Sequence, residues 1–480
     1  MGKLGKNLFD FTPKQRDEIF WQDYENEYSF GDIESMALAQ SRYFAHLTPG
    51  TICALSGFAP LELWTLMLSA WSHGLTVLPF AEKASTSAID LALNQLPWSL
   101  HLRREPRAAE DADANTNSIT ITNAAGFNAP TGNHPLNASD PSIDVLIMTS
   151  GSTGAPKAIA HSLDSLFISA QATLAFYGWQ PRDSSLLSLD PSHIGGLQIL
   201  IRVWHGRGLC FYGGEPKEVA RALAYRACDY LSLVPTQIFR LLEDPVTAKP
   251  LRQAKAILLG GAATQESLLA QLRPLGLPVS ITYGSSETAS QISAWKPGVF
   301  PDRPEHVGTI FPIWQLESTP DRDLWIKGKA LMRGYWQHRI WTPVGDGRYR
   351  LSDRGSLLAG ELFLDGRRDQ VFQVGGENVA PAEILQCLEK STSYALGDMQ
   401  VVTRDDAVFG VVPWVIVRSP RRPDSSSWNT AFDGLPPIKR PREIWWFQSD
   451  EVSKLSKAHL EHLLSVGDDH LKRLWKYEKI

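Results

Sequence analysis

Residues 148–157 read MTSGSTGAPK, a run of small hydroxyls and glycines closed by one lysine. From Thr149 through Ser150, Gly151, Ser152 and Thr153 to Gly154, backbone N–H groups and hydroxyls can face one ligand, and Lys157 adds a positive charge. That combination suits phosphate oxygens. The run follows the apolar segment IDVLIM (143–148), which reads as a buried strand. It precedes AIAHSLDSLFISAQATLAF (158–176), whose apolar spacing predicts a helix. A glycine-rich turn between strand and helix is an anion site through its dipoles. It does not follow the Walker pattern, which has Gly before the lysine and Ser or Thr after it; here Pro156 and Ala158 flank Lys157. A surface linker of the same composition is the alternative reading.

Two further stretches end an apolar run in a polar turn. ILLGGAA (257–263) puts Gly260 and Gly261 at a strand end, where a flat ring can lie on bare backbone. ITYGSSET (281–288) places Tyr283, Gly284, Ser286, Glu287 and Thr288 at another and adds a carboxylate. In a doubly wound sheet ligands gather beyond the carboxyl ends of the strands, so three such turns can share one crevice. Arg202 lies among Ile199, Leu200, Ile201, Val203 and Trp204. A guanidinium buried there needs an anion, supplied by an acidic ligand or by a protein Asp or Glu.

These turns require a layered α/β frame. Residues 52–80 alternate apolar strand, helical pattern and apolar strand, a βαβ unit, and the alternation returns over 185–212 and 230–283. The expectation is a large N-terminal domain (1–365) of doubly wound sheets with a small barrel-like subdomain after residue 300, and a small mobile α+β domain (366–480). Residues 103–140 read as a solvated connection with an edge strand at SITIT, and the chain from Lys457 onward as helical.

The chain has 480 residues, a length that suggests several domains, with 43% hydrophobic and 21% charged residues. Its 47 basic and 52 acidic side chains leave a net charge of −5, no footprint for nucleic acid or an anionic membrane, so small-molecule partners are expected. Four scattered cysteines form no CxxC pair, which argues against a disulfide framework or zinc site. The N-terminus lacks the apolar core of a signal peptide, and no 18-residue run is free of charges or of Gly and Pro breakers. A cytoplasmic location is expected, and a homo-oligomer is left open.

TSGSTGAPK, YGSSE, YRLSDRG, GRRDQVFQVGGENVAP and a lysine near the C-terminus, in that order, resemble the adenylate-forming superfamily of acyl-CoA synthetases, luciferases and peptide-synthetase adenylation domains. Within it, HIGGLQILIR, LSLVPTQIFRLL, ILLGGAA and YGSSETASQI are most similar to the o-succinylbenzoate-CoA ligases of menaquinone biosynthesis. The resemblance implies adenylation of 2-succinylbenzoate by ATP with Mg²⁺, then transfer to coenzyme A. It implies that residues 149–157 hold the β and γ phosphates, Glu287 helps to bind Mg²⁺, and Tyr283 stacks on adenine. Ser286, where the family usually has Thr, would lie near the α-phosphate.

By the same resemblance, Asp353 in LSDRG accepts the ribose hydroxyls and Arg367 contacts the ribose. Asp369 is the hinge of a rotating C-terminal domain, and Gly375 and Gly376 line a pantetheine tunnel. His193 borders the substrate and CoA channel, and Arg202, Ser286 and Thr288 select the acid. The family's terminal Pro-Lys and Gly-Lys pattern is VSKLSKAHL here, so Lys457 is assigned as the catalytic lysine and Lys454 stays open. The rival readings are an adenylating enzyme for another acid or a carrier protein, and a nucleotide-binding protein without catalysis.

Overall fold

The computed structural model describes residues 8–104, 119–123, 143–149, 156–262, 264, 266–367, 372–374, 377–379, 381–391, 398–406, 409–424, 428–432, 435–448, 460, 463–464 and 471–476. The chain divides into two compact units. One comprises Met1–Glu317, Trp325–Arg350 and Leu357–Leu362, the other Ser318–Leu324, Leu351–Ser356 and Phe363–Ile480.

The first unit is built on strands such as ICALS, TVLP, YLSL and AILL, every residue of which is buried. Strands apolar on both faces belong in the middle of parallel sheets covered by helices. Ile52–Ser56 accordingly pairs in parallel with Thr76–Pro79 and Leu100–Arg104. Thr76–Pro79 in turn pairs with Val145–Thr149. The predicted strand at SITIT is Ile119–Asn123, antiparallel on the edge. A second parallel array runs through Val279–Ser285, Ala256–Leu259, Tyr230–Leu233, Ser184–Leu186 and Leu209–Phe211. Ser290–Ala294 folds back antiparallel on Val279–Ser285. The helices between them bury aromatic faces: Trp204 meets Phe20 edge-on at 4.9 Å and Trp64 at 5.8 Å between ring centroids.

One segment departs from the sequence expectation. Lys157–His161 is a strand, and the helix begins only at Leu163, capped by the Ser162 hydroxyl. KAIAH has apolar residues compatible with either period. Pairing decides the matter, because the segment lies antiparallel between Val145–Thr149 and Gly334–Gln337 and satisfies both ladders. The strands on either side of this run, Val145–Thr149 and Lys157–His161, are therefore partners in one antiparallel ladder, and the helix does not follow directly on Lys157.

In the second unit, Met399–Asp406 pairs antiparallel with Gly410–Ser419, which runs parallel to Glu443–Gln448. Val374, Ile384, Leu388, Val415, Trp428 and Ile444 form its core. The end of the chain also differs from expectation: Leu471–Lys476 is a strand on the edge of this sheet, where Glu443–Gln448 offers an open ladder. Cys53, Cys210 and Cys228 are buried in the first unit, and Cys387 is half-buried in the second.

Candidate active site

The centre of the site is an ion pair that the sequence separates by 130 residues. Lys157 Nζ lies 2.7 Å from Glu287 Oε1, with side chains 18% and 13% exposed. The Lys157 ammonium also stands 5.2 Å from the centre of the Tyr335 ring, a cation–π contact, and the Tyr349 hydroxyl lies 3.5 Å from Glu287 Oε1. Burial pushes the Glu287 carboxyl up, but the Lys157 charge and hydrogen bond outweigh it and hold the group ionised below its usual range. Lys157 opens its strand opposite Thr149, whose hydroxyl donates weakly to the Lys157 carbonyl at 3.4 Å.

Glu287 sits on the turn that joins Val279–Ser285 to Ser290–Ala294, and that turn is strained. Ala289 and Ser290, neither of them glycine, have φ of 52° and 105°, a conformation costing on the order of 1–3 kcal/mol per residue. A Cβ on Gly284 would stand 1.8 Å from the Ser290 carbonyl oxygen, so only glycine lets the two strands approach. Thr288 is fully buried, and its hydroxyl accepts from the Ser285 N–H at 3.1 Å. It also lies 3.1 Å from the Ser290 carbonyl, so its polar atom closes the turn.

Side chains and backbone from neighbouring elements hold the turn's carbonyls. His161, fully buried, donates from Nε2 to the Ser286 carbonyl at 2.7 Å. The Met332 N–H donates to the Glu287 carbonyl at 2.8 Å, and Ser169 Oγ donates to the Ala289 carbonyl at 2.8 Å. Burial pushes the His161 imidazole down to about 4, so at neutral pH the ring is uncharged. Sequence reasoning missed all three contacts. A signal for one of them exists: Ser165, Ser169, Thr173 and Tyr177 recur every fourth residue along the helix Leu163–Tyr177, a polar stripe beside its apolar face.

Beyond Tyr283, Gly261 adopts φ 78°, and a Cβ on Gly260 would come within 2.4 Å of Thr282 Oγ1, so both positions present bare backbone. His193 is exposed at the N-cap of the helix Ile194–His205. Arg202 lies on that same helix, about 13 Å further along its axis. Arg202 is only 8% exposed and borders a small cavity with Tyr177, Trp179, Tyr230 and Ser232. Its Nε donates to the Gln198 carbonyl at 2.7 Å, and a terminal nitrogen lies 3.4 Å from Ser232 Oγ. Among the described residues no carboxylate pairs with it, so the internal ion pair left open above is not found there. Burial lowers the guanidinium to about 10, opposed only by Tyr177. A separate cavity of about 250 Å³ has a mostly apolar wall and is edged by Glu82, Asp190 and the Lys83–Glu215 pair.

Asp353, half-buried on Arg348–Leu358, and Arg367, exposed at the end of Glu361–Arg367, belong to the second unit. Ser150, Gly151, Ser152, Thr153, Gly154, Asp369, Gly375, Gly376 and Lys457, with Lys454, lie outside the described residues. Among the described residues no three His, Cys, Asp or Glu gather as a metal cage. Glu287, held ionised, fits Mg²⁺ as that ion binds nucleotides, through one or two carboxylates with phosphate oxygens and water as the remaining ligands. No helix of the described residues is long and apolar enough to cross a membrane.

Residues 10–336 match the family model described as AMP-binding enzyme. The chain belongs to the AMP-binding enzyme family. Among curated AMP-binding relatives, the 2-succinylbenzoate--CoA ligase of Escherichia coli (strain K12) is 29% identical over 386 residues, 78% of this chain and 82% of that one. The enzyme of the same name from Salmonella typhimurium is 32% identical over 274 residues, and there the match spans 57% of either chain. Among solved structures, o-succinylbenzoate CoA synthetase (MenE) from Bacillus subtilis in complex with the acyl-adenylate intermediate OSB-AMP superposes with a TM-score of 0.75 at 19% identity. That match covers 94% of this chain and 96% of that one. ATP-bound MatB from Rhodopseudomonas palustris gives the same score and identity over 96% of this chain and 99% of that one. These superpositions establish the fold, a mixed α/β architecture with a large N-terminal sheet domain and a small C-terminal one.

Proposed function

We propose that the protein is an AMP-forming acid-CoA ligase that activates 2-succinylbenzoate in menaquinone or phylloquinone biosynthesis, in the cytoplasm. In the first step a carboxylate oxygen of the acid attacks the α-phosphorus of ATP and pyrophosphate leaves. In the second the thiol sulfur of CoA attacks the acyl carbon and AMP leaves. The observation that carries the choice of acid is Arg202, a buried guanidinium on a cavity wall, bonded to a carbonyl and a hydroxyl but to no acid among the described residues. A substrate with a second carboxylate supplies the missing anion. The relatives that bear this activity in their names support the same reading.

In this reading Lys157, with Thr149, Ser150, Gly151, Ser152, Thr153 and Gly154, holds the β and γ phosphates. Two anions meet only where fixed positive charge and N–H dipoles await them. Glu287 holds Mg²⁺, which when bound screens phosphate charge. Gly260, Gly261 and Gly284 line the adenine site beside Tyr283, and Ser286 lies by the α-phosphate. Asp353 and Arg367 hold the ribose. His193 borders the acyl and CoA channel, and Thr288 supports the Ser286 wall from behind.

Residues 1–365 form the nucleotide and acyl domain. Residues 366–480 form a domain that turns about Asp369, brings Lys457 to the α-phosphate and then Gly375 and Gly376 to the pantetheine. The test is the product of ATP, CoA and 2-succinylbenzoate read by mass, with pyrophosphate exchange across a panel of acids. Exchange that ignores 2-succinylbenzoate and answers another acid overturns the substrate; no exchange with any acid overturns the ligase.

A further inference from the structure

The turn that carries Glu287 holds two left-handed non-glycine residues, Ala289 and Ser290, and does not keep that shape by its own bonds alone. Two side chains outside the hairpin grip its carbonyls. His161 ends the Lys157 strand, and Ser169 lies two helical turns further along Leu163–Tyr177. They donate to the Ser286 and Ala289 carbonyls at 2.7 and 2.8 Å, on either side of Glu287. Both are essentially excluded from water, at 0% and 1% exposure.

We propose that His161 and Ser169 are positioning residues: together they clamp the strained turn so that the Glu287 carboxylate faces Lys157 and a nucleotide-bound cation. The inference rests on the nucleotide-binding reading above and assigns the clamp to residues that touch no substrate. The geometry makes the clamp specific. Lys157 and His161 lie four residues apart on one strand, so both side chains leave the same face of it, one to the Glu287 carboxylate and the other to the carbonyl just before it. From the helix that follows the strand, Ser169 reaches past Glu287 to the carbonyl beyond. Nε2–H is committed to Ser286, and Nδ1 lies 3.1 Å from the oxygen of the Ser165 hydroxyl, which itself donates to the Ser162 carbonyl at 2.7 Å.

The test compares Ser169→Ala, His161→Leu and His161→Gln, the last keeping a donor of similar reach. The control is Thr247→Val, which removes another fully buried hydroxyl bonded to a carbonyl, that of Leu241, away from the turn. Hydrogen exchange of residues 283–291 is measured in the protein alone, and binding of ATP is measured with Mg²⁺ and with EDTA. Ser169→Ala and His161→Leu are expected to speed exchange of that segment and to weaken Mg·ATP binding by about tenfold each, the scale of one lost buried hydrogen bond. Binding without Mg²⁺ should stay within about twofold, with His161→Gln between wild type and His161→Leu. Unchanged exchange and unchanged Mg·ATP binding in folded Ser169→Ala overturn the clamp, as does an equal loss in Thr247→Val. If His161→Leu does not fold, Ser169→Ala decides. A wild-type protein that binds Mg·ATP but activates no acid overturns the ligase reading and leaves this comparison intact.

Discussion

Lys157 and Glu287 are each other's counter-charge in a pocket that admits little water, so neither can be removed quietly. Lys157→Met leaves an uncompensated carboxylate whose burial then drives its pKa upward. Stability by urea denaturation should fall by about 3 kcal/mol, and pyrophosphate exchange by about a hundredfold or more. Arg202 makes a different prediction, because its partner is to come from the substrate. Arg202→Leu is expected to raise KM for 2-succinylbenzoate by at least about tenfold while KM for ATP stays within about twofold, read from steady-state rates. An equal rise in both would remove Arg202 from the acyl pocket. Both residues were readable because their types are improbable where they stand: a lysine closing a glycine and hydroxyl run, and an arginine inside ILIRVW. His161 was not, since its partner is 125 residues away and nothing local marks the contact.

At the scale of elements, the strand Lys157–His161 ties the phosphate-binding end of the site to its sheet, and its last residue gives it a pH signature. The His161 pKa falls from about 6.5 in the unfolded chain to about 4 in the fold. Below pH 6.5 the unfolded chain binds a proton that the folded one refuses, so the stability present above that pH is lost progressively as pH falls toward 4. The loss amounts to about 3 kcal/mol. His161→Gln should flatten this part of the pH–stability curve, measured by urea denaturation between pH 4 and 7; an unaltered slope would assign it to other groups such as His205. The parallel sheets were readable from runs such as AILL and YLSL, whose side chains are apolar without alternation. The Lys157 strand was not, because AIAHSLDSLF fits a helical period as well as an extended one, and only the ladders on both sides choose. For the same reason Leu471–Lys476 read as helix: an open sheet edge recruits it, and that edge is invisible in the local sequence.

At the scale of the molecule, the two units divide the work proposed for them. Lys457→Ala should slow adenylation by about a hundredfold or more, while transfer from preformed acyl-adenylate to CoA changes little; the two half-reactions are read separately by pyrophosphate exchange and thioester formation. Loss in Lys454→Ala instead would move the role three residues back. The cysteines offer an independent view of the same division. Burial pushes the Cys53 and Cys228 thiols up to about 12 and Cys210 well above its usual value, so none is a thiolate while the first unit is closed. Cys387, in the second unit, is half-buried rather than fully buried. An alkylating reagent should therefore tag the chain in two stages, one adduct early and three together, and the delay between them, followed by intact mass, clocks how long the first unit stays shut.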